Sequence, residues 1–149
     1  MDNQAKRAAG FTLIELMIAI AVVAIIMTVA LPSYEGHTLR TKRSLAKAEL
    51  LKIMARQEQF FLNNRVYSTT LAPLGFADPY VIDADTNMVA AASTDRIYSI
   101  SFASSSATAY QLQAVPQLRQ AKDTSCGTLR ITSTGVKSIT GGGSTNSCW

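Results

Sequence analysis

The chain has 149 residues, a formal net charge of +4, 48% hydrophobic residues, two cysteines and a single histidine. That length argues for one domain by the usual relation of length to domain count. A charge this small is common on soluble domains and does not by itself imply a nucleic-acid partner, and with one histidine a zinc site is poorly supplied.

The chain begins with a polar stretch, residues 1–10, that includes Lys6 and Arg7. Phe11 to Leu31 follow as 21 residues in which Glu15 is the one ionisable side chain. At about 1.5 Å per residue this segment is long enough to cross the hydrocarbon core of a bilayer. The positive-inside bias places the Lys6/Arg7 end in the cytoplasm and the rest of the chain beyond the inner membrane. An ordinary secretory signal is cut after its apolar stretch, beside small residues. Here a Gly10–Phe11 junction lies before that stretch, so a cut there leaves the anchor on the mature protein.

The run Lys6-Arg7-x-x-Gly10-Phe11-Thr12-Leu13-Ile14-Glu15-Leu16, with Pro32 and Ser33-Tyr34 closing the apolar segment, resembles the class III signal of the type IVa pilin family. Within that family the chain is most similar to the PilE-type minor pilins. The resemblance implies that a prepilin peptidase cuts after Gly10 and methylates the new Phe11 amine. It also implies that Glu15 pairs with the N-terminal amine of a neighbouring subunit. Taken alone, a carboxylate at the centre of a membrane helix costs about 2.5–3.5 kcal/mol on insertion scales. Near the helix start the dipole softens that cost. Snorkelling or protonation of Glu15 is the alternative reading.

Beyond Pro32, good helix formers dominate from Tyr34 to Asn63, with Gly36 the one exception. Leu39, Ala46, Leu50, Ile53, Met54, Phe60 and Phe61 recur near a 3.6-residue period. Arg40, Lys42, Arg43, Lys47, Lys52, Arg56 and Glu58 fall largely between them, the first four facing several directions around the helix. The pattern predicts one helix, membrane-spanning over 11–31 and amphipathic over 32–63. Residues 64–95 read as a connector anchored by Tyr67, Leu71, Leu74, Phe76 and Tyr80. Its Asp83–Asn87 stretch resembles the first half of an EF-hand loop, yet Met88 stands where that pattern needs glycine and Thr94 where it needs glutamate. A solvated acidic loop is the better reading, with no metal and no cofactor expected.

The period then changes to two. Tyr98, Ile100 and Phe102 alternate with small or polar residues, as do Tyr110, Leu112 and Ala114, with Ser104–Ser106 expected to turn between them. Further strands are predicted near 128–132 and 136–139, joined by Ser133-Thr134-Gly135. The fold class expected is α+β, a long helix packed on an antiparallel meander occupying 96–149. Gly141–Gly143 and Ser144–Ser147 read as a flexible tail. If Cys126 and Cys148 pair, they close a loop worth about 3 kcal/mol on the chain-entropy account, and an oxidising compartment favours that over two free thiols or half a metal site. The family resemblance implies the same bond.

No catalytic set emerges. His37 has no nearby nucleophile or second ligand in the sequence, and there is no G-x-S-x-G elbow. The chain reads as a non-enzyme. The resemblance implies a structural subunit that supports pilus assembly and hence motility, adhesion or DNA uptake. Its partners would be other pilin subunits, the prepilin peptidase, the assembly platform and the inner membrane, and its final place an extracellular pilus. Lipid headgroups or subunit packing account for Arg40, Lys42, Arg43 and Lys47. Arg119, Lys122, Arg130 and Lys137 form a patch on paper with no aromatic platform beside it, which leaves DNA the weaker partner. The rival readings are a major pilin, a type II secretion pseudopilin, and a periplasmic binding module cut after Thr28-Val29-Ala30, which leaves Glu15 unexplained.

Overall fold

Helix α1 (Leu13–Asn64) runs without interruption through Pro32 and contributes to both units into which the chain divides, one ending at His37 and the other spanning Thr38–Trp149. The computed structural model describes residues 11–149. The segment expected to be a leader, with Lys6, Arg7 and Gly10, lies outside the described residues. In the first unit every residue from Phe11 to Leu31 with a described side chain is exposed, Phe11 at 84%. An 18-residue window of α1 reaches a mean hydropathy of 2.8 with none of it buried. By length and composition this helix can cross a membrane.

In the second unit α1 becomes amphipathic, and its buried stripe holds Ala46, Leu50 and Ile53. The stripe also takes in Arg43, Glu49 and Gln57. Each of these three polar side chains has a partner. Arg43 meets Asp123, and Glu49 receives the Tyr80 hydroxyl. Gln57 clamps the backbone of Ser68 through both halves of its amide, at 2.7 and 2.9 Å. Helix α1 ends when Arg65 enters the left-handed region at φ 61° and its N–H closes on the Phe61 carbonyl.

A five-stranded antiparallel sheet follows in chain order: β1 (Tyr80–Ile82), β2 (Tyr98–Ser105), β3 (Tyr110–Pro116), β4 (Leu129–Thr132) and β5 (Lys137–Ile139). The expected meander had four strands and began at 96. β1 lies inside the segment read as a connector, pairing Tyr80 with Ile100 and Ile82 with Tyr98. Its three residues are all buried, so no alternation advertises it. The β2–β3 turn also sits later than expected. A register shift between Phe102 and Ser104 lets Ser104 and Ser105 pair with Gln111 and Tyr110, and Ser106 makes the turn by bonding Ala109. A bulge of this kind inserts one residue and bends its strand.

The predicted alternation holds where it was strongest. Tyr98, Ile100, Tyr110, Leu112, Ala114, Leu129 and Ile131 turn inward onto Ala46, Leu50 and Ile53, and Leu71, Leu74 and Tyr80 close the cluster as expected. Each large aliphatic side chain buried this way stabilises the fold by roughly 1.5–3 kcal/mol. A 3-10 turn (Leu118–Lys122) links β3 to β4, and a one-turn helix α2 (Thr145–Cys148) ends the chain.

The segment expected to be a flexible tail is fixed. Gly141, Gly142 and Gly143 donate their N–H groups to the carbonyls of Cys126, Thr124 and Ser125. Gly141 comes so near Ser125 that a Cβ would lie 2.4 Å from its carbonyl oxygen, which is why glycine stands there.

Candidate functional site

Two regions carry chemistry beyond packing. The first is the start of α1. Thr12 precedes the helix, its Oγ1 accepts from the Glu15 N–H at 3.3 Å, and its own N–H and hydroxyl donate to Glu15 Oε2 at 3.4 Å. This is the reciprocal geometry of a capping box, in which two otherwise unpaired donors at a helix start find acceptors. The T-x-x-E spacing announced it, and Thr12 is the residue that sequence reasoning passed over. The contacts are long, so they orient the Glu15 carboxylate more than they consume it. Glu15 remains exposed on an apolar helix, with acceptor capacity for a cation brought by another molecule.

The second region surrounds the disulfide. Cys126 and Cys148 are bonded, with Cα atoms 5.6 Å apart, and both are buried. Three residues upstream, Asp123 receives Arg43 Nε at 2.9 Å and Nη2 at 2.7 Å on the same oxygen, while Ser125 Oγ donates to the other oxygen. This buried ion pair ties α1 to the disulfide segment. It also removes Arg43 from the set of cations available to lipid or DNA.

One turn along α1, Lys47 Nζ donates to the backbone oxygen of Trp149 at 3.2 Å. Lys137 of β5 places its ammonium 5.3 Å from the centre of the Trp149 ring, within cation–π range. The indole N–H donates to the Ser138 carbonyl and fixes the ring. Partial burial pushes the Lys47 ammonium below its ordinary range, helped by the neighbouring charges of Arg43 and Lys137. Two cations and an aromatic ring therefore share one corner. The expectation of a basic patch without an aromatic is corrected here, because Trp149 reaches Lys137 through the disulfide-held end of the chain.

The four cations grouped on paper do not behave as one patch. Lys122 is exposed on the 3-10 turn, and Arg130 has its Nε buried without a hydrogen-bond partner. Arg119 lines a separate cleft with Lys42 and Arg96. Asp83 spends its oxygens on its own loop, accepting from the N–H groups of Asp85 and Asn87 at 2.9 Å each. Slight desolvation works upward on its carboxyl, yet the Asn87 and Asp85 N–H donors outweigh it and hold the group below the usual range. His37 is exposed on α1.

Comparison with known proteins agrees with this layout. A family model described as "Type IV minor pilin ComP, DNA uptake sequence receptor" matches residues 32–130. One described as "Prokaryotic N-terminal methylation motif" matches residues 5–31. The chain is 40% identical over 68 residues to the type IV major pilin protein PilA of Myxococcus xanthus, covering 46% of this chain and 31% of PilA. It is 31% identical over 84 residues to a fimbrial protein of Pseudomonas aeruginosa, covering 52% and 54%. Over 70 residues it is 40% identical to the type IV major pilin protein PilE1 of Neisseria gonorrhoeae, covering 47% and 32%. The matched stretch thus spans about a third to a half of the length of these relatives. An apolar N-terminal helix carrying Glu15, a five-stranded meander on its continuation, a disulfide-bounded end and a family match over most of the chain lead to one conclusion: this protein belongs to the type IV pilin family.

Proposed function

We propose that the protein is a minor pilin that is cut between Gly10 and Phe11, methylated at the Phe11 amine and held in the inner membrane by residues 11–31 until it enters a pilus. In the pilus, residues 38–149 contact DNA during uptake. The prepilin peptidase, other pilins and the assembly platform are its partners in this reading, with Glu15 receiving the amine of a neighbouring Phe11.

The observation that carries the DNA contact is the disposition of charge in residues 38–149. This segment holds 12 Lys and Arg against 7 Asp and Glu. Five of the carboxylates, on Glu49, Glu58, Asp78, Asp83 and Asp123, accept bonds from their own chain. Among the described residues Arg43 and Lys52 are the cations held in ion pairs. Glu49 and Asp123 are buried, as is Arg43, while the other cations and carboxylates of the segment reach the surface with cations in excess, which favours a polyanion. Lys47, Lys137 and Trp149 add an aromatic group to that surface. The match to a family described as a DNA uptake sequence receptor supports the same reading.

The test is fluorescence anisotropy of labelled duplex DNA with the full-length protein in detergent micelles. Affinity should fall steeply with salt, and replacing Lys47 and Lys137 together by Gln should reduce the log–log salt slope by roughly two, about one per lost phosphate contact. The relatives named as major pilins favour a second reading, a filament-building subunit without a DNA role. No salt-dependent binding, together with loss of all pili on deletion, selects that second reading.

A further inference from the structure

Leu129 and Ile131 of β4 turn inward to the core, so strand alternation sets Arg130 on the opposite face of the sheet. There it stands in register between Gln113 of β3 and Ser138 of β5, with Ser101 of β2 beyond Gln113. The Gln113 amide donates to Ser101 Oγ at 3.3 Å. Gln111 and Thr132, one pair further along that face, bring no charge either.

Arg130 makes no side-chain hydrogen bond or ion pair among the described residues. Its Nε is shut from solvent and the side chain is half-buried, which leaves the two Nη groups as the part another molecule can reach. Buried charge ordinarily meets a partner, as Arg43 meets Asp123. Arg130 has a fixed place among neutral neighbours and no acceptor. Ser138 joins this row to the Trp149 corner, since its carbonyl takes the indole N–H while Lys137 turns to the other face beside the ring.

We propose that Arg130 reads a guanine in the major groove of the bound duplex, Nη1 and Nη2 donating to its O6 and N7. The proposal rests on the DNA reading above and adds a base contact to the backbone contacts of Lys47 and Lys137. β4 and β5 end the sheet, and a two-stranded ribbon is what the major groove, about 12 Å wide, admits. A planar fork matches the paired acceptors of guanine, whereas adenine offers one acceptor and one donor there. Phosphates ask only for positive charge, and this row holds a single, half-buried cation.

Full-length protein in detergent micelles selects from a pool of randomised duplexes, and each base pair of the selected sequence is then replaced in turn. Replacing one G·C pair by A·T should weaken wild-type binding by about five- to 150-fold. Arg130→Lys keeps the charge and loses the fork, so it should abolish the preference at that pair while the salt slope stays as in the wild type. Arg130→Gln should abolish it too, and the other selected pairs should keep theirs in both variants. Melting temperatures equal to the wild type's establish that each variant is folded. Wild-type preference retained in either folded variant overturns the proposal. So does a salt slope lowered by about one in Arg130→Gln with preference intact, the mark of a phosphate contact. Binding without any sequence preference overturns it while leaving the DNA reading standing. No salt-dependent binding to any duplex overturns the DNA reading itself, and this contact with it.

Discussion

Arg43 and Asp123 tie α1 to the segment that leads into Cys126. Both are buried, and the guanidinium places two donors on one carboxylate oxygen. Removing one partner leaves a charge buried alone, which costs about 3–5 kcal/mol, whereas replacing both with apolar residues of similar volume is often neutral. Asp123→Ala should therefore lower stability in denaturant titration of the full-length protein by that amount. Arg43→Met with Asp123→Leu should recover most of it, and no recovery would show that the pair is needed for more than its own neutralisation. Lys47 behaves in the opposite sense. It is partly desolvated beside Arg43 and Lys137, so Lys47→Gln should leave the melting temperature unchanged or slightly higher while weakening DNA binding. A fall in melting temperature would mean that its bond to Trp149 outweighs the repulsion. The capping partnership of Thr12 and Glu15 went unread although the T-x-x-E spacing carries its signal. The partnership of Arg43 carries no such signal, because 80 residues separate it from Asp123 and helical periodicity cannot say which exposed-looking cation a distant carboxylate will claim.

At the scale of elements, legibility followed periodicity. The alternation of Tyr98, Ile100, Tyr110 and Leu112 gave β2 and β3, while β1, with all three residues buried, had no pattern to read. The glycine-rich end misled for a related reason, since composition reports freedom in the unfolded chain and says nothing of the carbonyls waiting at 124–126. The disulfide and those three backbone bonds hold the end jointly. Cys126→Ser or Cys148→Ser should cost about 2–5 kcal/mol, and hydrogen exchange should then accelerate first at the Gly141–Gly143 amides. Uniform acceleration across the sheet would instead make the bond a global constraint. The sheet's tyrosines set an alkaline limit. Burial, helped at Tyr80 by Glu49, pushes Tyr80 and Tyr98 up to about 12 from 10.0. The fold thus favours their protonated forms, a contribution fully present below pH 10 and lost as pH rises towards 12. Melting temperature should decline over that interval in step with tyrosinate absorbance. Tyrosinate appearing before the decline would contradict this assignment.

For the molecule as a whole, assembly and folding are expected to separate at Glu15. Within its own unit Glu15 bonds to Thr12. Glu15→Ala should leave the disulfide and the melting temperature unchanged and ease membrane insertion, since a polar group leaves the apolar segment. If Glu15 pairs with a neighbour's Phe11 amine as proposed, incorporation into pili should fall by a large factor as that amine loses its counter-charge. The ratio of subunit in sheared pili to subunit in membranes measures it, and an unchanged ratio would falsify the docking role. Intact mass should begin at N-methyl-Phe11, and a mature chain starting at Leu31 would exclude processing at the Gly10–Phe11 junction.

The strand order of the sheet is the strand order of the chain, β1 to β5, each pairing with the one before it. If the N-terminal helix enters the membrane first, export delivers these strands one at a time. A sheet whose pairings skipped strands would leave exposed edges waiting for partners still on the other side, and such edges invite aggregation. Here each arriving strand meets a neighbour already delivered, and contacts of this local kind form quickly. On that route Cys148 would arrive after all five strands, and its bond to Cys126 would lock them in the order of their arrival.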